Sequence, residues 1–575
     1  MGNFSTRKVF LTPSFELDLK ERDKIDGLLR LLDDSGVWDV VFGKQAKRTA
    51  RQGRIPYKPE NMFATVIFGF AMGSGSLREL ESCCQHDLRY IYIMEQERPS
   101  YASFCEFINA YILPNIDAVF SKITARIAQV VGVAGITLFL DGTKQEALPN
   151  KYKFVFKPTT FHNKLDAKAA ALFEAEGVGL KKTDQAAFIK SKDMFDSANA
   201  YAKAKGIKTD DLRSKKVKDM SREEKIYLSM LSYGNKSLEY EEKEKICGPG
   251  RNSFYKTDHD ATAMCLKDDY YSGLGSNMHA GYNVQLLVSG GLIMSCYVSQ
   301  SRTDYNDLIP SLDKYILHYG KKPENVVADA GYGILKNYRY LSDKGIAAYV
   351  KYQNWEGEVS GRRPPSYNIN PDGTITCLNG KVGTKTDIAN RKTRRKGLSF
   401  FRVSECEGCP FSAYCRRFMK EKEGKERIFE VDEEFERFRI EARDRLLSPK
   451  GIEMRVNRSC QVEGAFGVIK WDMGYVRFRR VSLPKANLEF SLTSLGRNIR
   501  KYFRFLEGRT TFVYWTAPSV LLPEEIRKPS AKKLSKRAER NRSKQPNEQA
   551  KKDHKSPYKS KKEGADTPGK EPGVS

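Results

Sequence analysis

Apolar residues recur at helical spacing through the first 132 residues. Ile25, Leu28, Leu29 and Leu32 lie on one face of the segment LKERDKIDGLLRLLDD. Pro59 stands where a helix begins, and Ser76 followed by Glu79 forms a capping-box pattern before another. We therefore predict an all-α region over residues 1–132, in which short helices joined by tight turns suit a helix-turn-helix-like DNA-binding module and equally well any small helical bundle.

The pattern then changes to one typical of strands. GITLFLDGTK (135–144) is an apolar, β-rich run that ends on Asp141. Residues 280–300 predict two strands joined through Ser289-Gly290-Gly291, and NVVADAGYG (325–333) predicts a further strand ending at Asp329. With helical patterns between them and a last strand in IAAYVKY, the order predicts a mixed α/β sheet.

Two segments interrupt this sheet domain, which we place at residues 133–505. Residues 160–256 are charged and helix-prone, and residues 352–430 are polar, rich in Gly and Arg, and contain a cysteine cluster. We interpret both as insertions, and residues 431–505 as helical. Residues 506–575 form a C-terminal extension whose composition from about 526 is Lys, Ser, Glu, Pro and Gly, which predicts a basic disordered tail.

The charge of the chain points to nucleic acid. The formal net charge over 575 residues is +27, and 526–575 contributes 16 Lys/Arg against 6 Asp/Glu, so the rest of the chain is basic as well. Such a balance favours binding to phosphates, with charge for solubility as the alternative. The sequence shows neither a signal peptide nor an apolar run long enough for a bilayer, which predicts a cytoplasmic protein with no membrane partner.

Four of the eleven cysteines are spaced as metal ligands are. Cys406, Cys409 and Cys415 follow the spacing C-x2-C-x5-C, and Cys377 lies upstream. Four thiolates could form a tetrahedral structural zinc site. The alternative is that these are buried or idle thiols, since the second pair is irregular.

Asp141 and Asp329 each follow an apolar run, at the edge of an α/β sheet where ligands bind. Two converging carboxylates repel unless a cation neutralises them, and hard oxygen ligands favour Mg²⁺ or Mn²⁺. The alternative is that both aspartates only cap turns. A nucleotide cradle at Gly331-x-Gly333 is disfavoured, because Lys336 stands where the third glycine of that fingerprint would be.

A third acidic residue lies on a predicted helix near residues 458–480. Val462, Phe466 and Ile469 form its apolar stripe. Glu463, Gly467 and Lys470 share another face, on which a carboxylate could reach a metal, the glycine could leave room for a backbone and the lysine could meet a phosphate. A Glu-Lys pair on a solvated helix is the alternative.

Three blocks in this order resemble the signature blocks of bacterial DDE insertion-sequence transposases: LDGTK (140–144), ADAGYG (328–333) and EGAFGVIK (463–470). The chain is most similar to the subgroup named eleven-eighty-two. Residues 53–92 resemble the N-terminal helical module of that family, and TDHDATAMCLKDDYY and AGYNVQ resemble its central blocks. The resemblance covers roughly residues 15–505.

This resemblance implies an RNase H-like catalytic domain in which Asp141, Asp329 and Glu463 bind two Mg²⁺ or Mn²⁺ ions. Lys470 matches the lysine that follows the catalytic glutamate, and Lys144 could contact phosphate or be a plain surface lysine. Many related transposases have an arginine four residues before the glutamate. Ser459 occupies that place and Arg458 precedes it, so a DNA-binding role for Arg458 is an open question.

The implied activity is metal-dependent cleavage of DNA ends followed by strand transfer, without a covalent enzyme intermediate. Double-stranded DNA is the implied partner, a homodimer or larger synaptic complex the implied assembly, and the bacterial nucleoid the implied location. The basic tail would hold DNA electrostatically. Alternatives are a non-catalytic DNA-binding protein derived from a transposase, or a metal-dependent nuclease without strand transfer.

Overall fold

The computed structural model describes residues 19–43, 57–180, 187–210, 212, 215–266, 278–387, 397–420 and 424–510. Contacts along the backbone divide the chain into two units, Met1–Thr516 and Ala517–Ser575. The second unit, and with it the tail predicted to be disordered from about residue 526, lies outside the described residues.

The chain up to residue 131 is helical where it is described, as predicted. The helices are α1 (Leu19–Asp34), α2 (Val37–Val41), α3 (Pro59–Met72), α4 (Leu77–His86), α5 (Leu88–Ile93), α6 (Tyr101–Phe107) and α7 (Ile116–Val131). Pro59 is the first residue of α3, and Ser76 and Glu79 form the predicted capping box of α4. Residues 62–71 of α3 are all buried, which explains why this helix is apolar on every side.

The first predicted insertion folds around a core of its own. After β1 (Thr137–Glu146) the chain forms β2 (Phe154–Phe156), α8 (Thr159–Ala175), α9 (Ser191–Ala204), α10 (Arg222–Cys247) and β3 (Ser253–Tyr255). The two short strands pair with each other, and apolar residues of the three helices, such as Phe173, Met194 and Met230, pack together. This segment is therefore helical, as its composition predicts.

A six-stranded mixed sheet contains the other strands up to residue 350. They are β4 (Thr262–Cys265), β5 (Met278–Ser289), β6 (Leu292–Ser299), β7 (Asn325–Ala328) and β8 (Ala347–Val350), with α11 (Leu308–Tyr319) and α12 (Leu335–Asp343) between the later strands. The order is β4-β5-β1-β7-β8, and β6 also pairs with β5. The pairs β1–β7 and β7–β8 are parallel and the pairs made by β5 are antiparallel, which confirms a mixed sheet.

The predicted hairpin between β5 and β6 is confirmed. Gly290 and Gly291 have φ angles of 60° and 66°, the left-handed conformation that a tight hairpin turn requires at both central positions. One boundary was predicted wrongly. Asp141 does not end its strand, because β5 pairs with β1 as far as Glu146 and keeps it extended.

The second predicted insertion contains a sheet that the sequence does not reveal. Its elements are α13 (Trp355–Val359), β9 (Tyr367–Ile369), β10 (Ile375–Cys377), β11 (Val382–Lys385), β12 (Ser399–Val403), α14 (Ser412–Cys415) and β13 (Arg427–Val431). The five strands are ordered β13-β12-β11-β10-β9. Their buried core includes Ile375, Phe401 and Phe429. Because each strand has only three to five residues, the apolar alternation is too short to stand out.

Helices complete the described chain. They are α15 (Glu433–Leu447), α16 (Pro449–Arg458), α17 (Gly464–Gly467) and α18 (Leu483–Leu506). Two π-helical turns, Ser459–Glu463 and Val468–Asp472, flank α17. Helix α18 packs so closely on α3 that a Cβ at Gly496 would lie 2.5 Å from the carbonyl oxygen of Phe70.

One large core joins the N-terminal helices, the six-stranded sheet and α15–α18. The division of the chain at residues 132 and 505 into separate domains stays a prediction. Over the residues described, no helix combines the length and apolar character needed to cross a membrane.

Candidate active site

Asp141 lies on β1, and Asp329 is the residue that follows the neighbouring strand β7. Strand β1 pairs with β7 in the parallel register Thr137 with Asn325 through Phe139 with Val327, and continuing that register by two residues aligns Asp141 with Asp329. Both side chains line a cavity of about 400 Å³. The sequence-predicted pair of strand-edge aspartates is therefore brought together by the sheet.

Each of the two carboxylates is held by a backbone amide. The N–H of Gly142 donates to Asp141 Oδ1 over 2.8 Å, and the N–H of Gly331 donates to Asp329 Oδ1 over 2.8 Å. Asp329 thus caps the 3-10 turn Ala330–Tyr332, and turn capping is the alternative role considered for it from the sequence. These backbone contacts engage Oδ1 of each carboxylate, and Oδ2 of Asp141 accepts a hydrogen bond from Arg458.

The environment of Asp141 disfavours a second negative charge. The pKa of Asp141 is raised to about 6, because burial and the nearby Asp329 raise it by more than the guanidinium of Arg458 lowers it. A carboxylate whose ionisation is disfavoured by burial and by a like charge is stabilised by a cation. The electrostatics of this site therefore favour a positively charged ligand.

The glycines after Asp329 have a structural role. A Cβ at Gly333 would lie 2.2 Å from the carbonyl oxygen of Lys351, so this glycine allows the turn to pack against the chain that follows β8. This close approach of two backbones accounts for Gly333 without a bound nucleotide.

Glu463 is connected to Asp141 through Arg458. Arg458 Nη1 donates to Asp141 Oδ2 over 2.9 Å, and Arg458 Nη2 donates to Glu463 Oε1 over 3.1 Å. Ser459 Oγ donates to Glu463 Oε2 over 2.8 Å. Glu463 is more exposed than the other two residues: its side chain is 53% accessible, against 19% for Asp141 and 14% for Arg458.

The π-helical turn Ser459–Glu463 explains how an arginine five residues before the glutamate reaches it. An α-helix places residues three and four apart on one face, whereas a π turn bonds residue i to i+5. Arg458 and Glu463 therefore share a face of this helix. Arg458 therefore bridges two of the three predicted metal ligands, Asp141 and Glu463. Its role in DNA binding stays a prediction.

The predicted helical stripe and lysines also have defined positions. Val462, Phe466 and Ile469 are buried, as expected. Lys470 Nζ donates to Thr143 Oγ1 on β1 over 2.8 Å, and Lys470 and Lys144 both line the cavity of Asp141 and Asp329. At Gly467 a Cβ would meet no protein atom within 4 Å, so this face of the helix is open.

Asp304 is a further acidic residue at the site that the sequence reading missed. Its Oδ1 lies 2.7 Å from where a Cβ of Gly142 would be, and its Oδ2 lies 3.5 Å from the corresponding position at Gly331. The side-chain amides of Asn283 and Gln285 donate to Asp304 Oδ1 over 2.8 and 3.0 Å. The absence of side chains at these two glycines therefore lets Asp304 approach the aspartate pair.

A signal for this arrangement is present in the sequence. Asn283 and Gln285 lie on one face of β5, each followed by an apolar residue, and both are fully buried. Buried amides require hydrogen-bond partners, and they find them in Asp304 and in Asp307, whose Oδ2 also accepts from Ser299. Polar residues of this kind inside an apolar strand indicate a polar network.

The acidic residues suit a hard divalent cation by their chemistry, since carboxylate oxygens are the preferred ligands of Mg²⁺ and Mn²⁺. Their present arrangement is not that of a formed metal site: among the described residues, no three His, Cys, Asp or Glu side chains are grouped closely enough to hold a metal ion. Instead, the guanidinium of Arg458 bridges Asp141 and Glu463. A cation is thus already accommodated between these carboxylates.

The four clustered cysteines are free thiols at the second sheet. Cys377, Cys406 and Cys415 pack against its small apolar core, and Cys409 is half-buried. Burial raises the pKa of the Cys406 thiol, an effect that Arg416 opposes and that the nearby thiols of Cys377 and Cys409 reinforce. In the described structure no three of these thiols lie close enough together to hold a metal ion, so zinc binding by this cluster stays a prediction.

Two family models match the chain. Residues 15–110 match the family described as Transposase domain (DUF772), and residues 376–503 match the family described as Transposase DDE domain. The first match covers the N-terminal helices, and the second runs from β10 into α18 and includes Glu463. No curated protein and no solved structure matches the chain.

Proposed function

Because this chain belongs to the DDE insertion-sequence transposases, we propose that it cuts DNA at the ends of an insertion sequence and joins those ends to target DNA. The observation that carries the proposal is the strand register that aligns Asp141 with Asp329, combined with the bridge that Arg458 makes from Asp141 to Glu463. We assign these three carboxylates as the catalytic triad. The eleven-eighty-two subgroup stays a prediction.

We propose an RNase H-like fold for the catalytic part. The order β6-β5-β1-β7-β8, with antiparallel β1, β5 and β6 and parallel β1, β7 and β8, supports this assignment. On this proposal residues 1–132 are the helical DNA-binding region and residues 133–505 are the catalytic domain with its two insertions. Residues 506–575 are a C-terminal extension of the catalytic domain.

Asp141, Asp329 and Glu463 would hold the divalent cations, two Mg²⁺ or Mn²⁺ ions by resemblance. When bound, such ions lower the pKa of an attacking hydroxyl or water and stabilise the leaving oxygen. Asp304, beside Gly142 and Gly331, adds a further negative charge next to the pair. The same charges repel a DNA phosphate unless cations lie between them.

Basic side chains around the cavity would hold the scissile phosphate. Lys144, Arg302 and Lys470 line it together with the acidic residues. Lys470 is oriented by its hydrogen bond to Thr143 on β1, the strand that contains Asp141. Ser459 and Arg458 orient the carboxylate of Glu463. These contacts would fix the phosphate and the third carboxylate relative to the aspartate pair.

The partners follow from the activity. Double-stranded DNA is the proposed substrate, a homodimer or larger synaptic complex would bring two ends together, and the basic tail would hold DNA electrostatically at the nucleoid. A structural zinc ion at the four clustered cysteines is a separate proposal.

Cleavage of a supercoiled plasmid tests the proposed function. The plasmid should carry the coding region with its native flanks, and the reaction should be run with Mg²⁺ and with EDTA. We expect Mg²⁺-dependent nicking at the element ends and joined products. Nicking without joining would indicate a nuclease, and binding without any cleavage would indicate a non-catalytic DNA-binding protein.

A further inference from the structure

Helix α18 presents four basic residues on one face. Arg497, Arg500, Lys501 and Arg504 follow the spacing i, i+3, i+4 and i+7, which places them in a row on a helix. All four line a cavity of about 520 Å³ that is separate from the cavity of Asp141 and Asp329. We call this row the α18 basic face.

Two of the three acidic residues that line this cavity form ion pairs with basic residues outside the α18 basic face. Glu21 pairs with Lys24 over 2.7 Å, and Glu507 pairs with Lys24 over 2.6 Å and with Arg509 over 3.3 Å. Seven Lys or Arg side chains line the cavity against three Asp or Glu. Since two of those three are paired with other cations, the α18 basic face keeps a net positive potential.

Two cations of this face, Arg497, which is buried, and Lys501, which is half-buried, contact neutral carbonyls. Arg497 Nη1 donates to the carbonyl oxygen of Gly291, and Lys501 Nζ donates to that of Gly290 over 3.1 Å. Burial lowers the pKa of Arg497 to about 10 and, together with the charge of Arg497, lowers the pKa of Lys501 to about 8. Both groups keep their charge at neutral pH, but burial destabilises the charged forms, and an anion beside them would stabilise both.

The hairpin tip links the α18 basic face to the helix of Glu463. Gln461 Oε1 accepts a hydrogen bond from the N–H of Gly291 over 3.0 Å, and Gln461 lies in the same π turn as Glu463. Val468 and Asp472, from the end of that helical segment, also line the cavity. A ligand bound here would lie against the elements that position the third carboxylate.

We propose that the α18 basic face binds successive phosphates of the DNA backbone next to the end that is cut. The inference rests on the proposed function. From Arg497 to Arg504 the row is about 10 Å long, at about 1.5 Å per helical residue. That length suits more than one phosphate of a strand, since each phosphate advances about 3.4 Å along the duplex axis. A single small anion could contact only two of these side chains, Arg497 and Lys501.

Two sets of variants of the full-length protein test this binding site. Arg500→Ala/Arg504→Ala removes two charges from its outer part, and Arg222→Ala/Arg437→Ala removes two exposed charges from α10 and α15 as a matched control. Affinity for a labelled duplex of the element end is measured by fluorescence anisotropy from 50 to 200 mM NaCl. We expect the first double variant to bind at least tenfold more weakly at 100 mM NaCl and the slope of log K against log salt to fall by about 2.

The control double variant should bind within threefold of the wild type. Equal affinity and slope in the wild type and Arg500→Ala/Arg504→Ala would overturn the proposed binding site. Failure of the wild type to bind DNA would instead overturn the proposed function. Inorganic phosphate serves as a second probe: if it raises the melting temperature of the wild type but not of the variant, while DNA affinity is unchanged, the cavity binds a small anion and the DNA inference is wrong.

Lys501→Met separates a binding role from a structural one. If Lys501 serves DNA, replacing its disfavoured charge with an apolar chain of similar length should leave the melting temperature unchanged or raise it, while DNA affinity falls at least fivefold. A lower melting temperature with unchanged DNA affinity would mean that Lys501 only supports the hairpin, and would contradict the proposal.

Discussion

Arg458 donates to Asp141 over 2.9 Å from a position five residues before Glu463, which it also contacts. The π turn makes this possible, and the result is a cation between two carboxylates that the family resemblance assigns to metal binding. We interpret Arg458 as the group that neutralises these carboxylates when no divalent ion is bound. Divalent ions would then have to compete with its guanidinium for the same oxygens.

Removing Arg458 should destabilise the protein through Asp141. The Arg458→Ala variant leaves a mostly buried carboxylate without its cation, so we expect the free energy of unfolding at pH 7.5 to fall by about 2–3 kcal/mol. Denaturant unfolding measures this loss. Arg458→Ala/Asp141→Asn is the partner variant, and it should recover at least half of the loss because the uncompensated charge is gone. No recovery would mean that Arg458 acts through other contacts.

Gly142 should not tolerate a side chain. A Cβ there would lie 2.4 Å from Gln285 Nε2 and 2.7 Å from Asp304 Oδ1, and moving either side chain would break the hydrogen bond between them. We expect Gly142→Ala to lower the free energy of unfolding by about 1–3 kcal/mol. Gly179→Ala is the control, since a Cβ at Gly179 meets nothing within 4 Å, and it should change stability by less than about 0.5 kcal/mol. Equal stability of the two variants would contradict this packing.

Asp307 should make stability depend on pH. Burial raises its pKa to about 7, so between about pH 4 and pH 7 the folded protein holds a proton that the unfolded chain has released. Stability contributed by this proton is present at low pH and is lost as pH rises to about 7. Between pH 5 and pH 8 the free energy of unfolding of the wild type should therefore fall by about 2–3 kcal/mol more than that of Asp307→Asn, whose side chain cannot ionise. Parallel pH profiles of the two proteins would refute this.

Zinc content tests the prediction for the cysteine cluster. Four thiolate ligands would bind one ion tightly, so we expect about one equivalent of zinc per chain in protein purified without chelators, measured by atomic absorption. Cys406→Ser/Cys409→Ser should lose it, whereas Cys105→Ser, outside the cluster, should keep it. If the purified wild-type protein contains no zinc, the prediction is wrong and these thiols only pack against the core of the second sheet.

Much of the sheet could be predicted from local sequence. The strand before Asp329 is buried throughout and apolar from Val326 to Ala328, as strands covered on both faces are. The turn glycines Gly290 and Gly291 have the positive φ angles that a tight hairpin requires. These signals are local, because burial and turn chemistry are properties of a few adjacent residues. The same is true of the helix caps at Pro59 and Ser76.

The remaining features depend on contacts that are distant in sequence. The π turn Ser459–Glu463 accompanies the contact of Arg458 with Asp141, which is more than 300 residues away in sequence, and nothing in the local spacing predicts it. Asp304 joins the site only because β1 pairs with β5 and brings Gly142 against Gln285. The short strands of the second insertion take their stability from a shared core rather than from a pattern within each strand.

The central claim is that Asp141, Asp329 and Glu463 form the site of DNA cleavage, and the most direct measurement compares two aspartate variants. Asp329→Asn keeps the size of the side chain and removes its charge, while Asp343→Asn changes an exposed aspartate at the end of α12. Both should bind duplex DNA as the wild type does. With Mg²⁺ and supercoiled donor plasmid, we expect Asp343→Asn to cleave at the wild-type rate and Asp329→Asn to be at least about 100-fold slower. Cleavage by Asp329→Asn at the wild-type rate would contradict the assignment of the site.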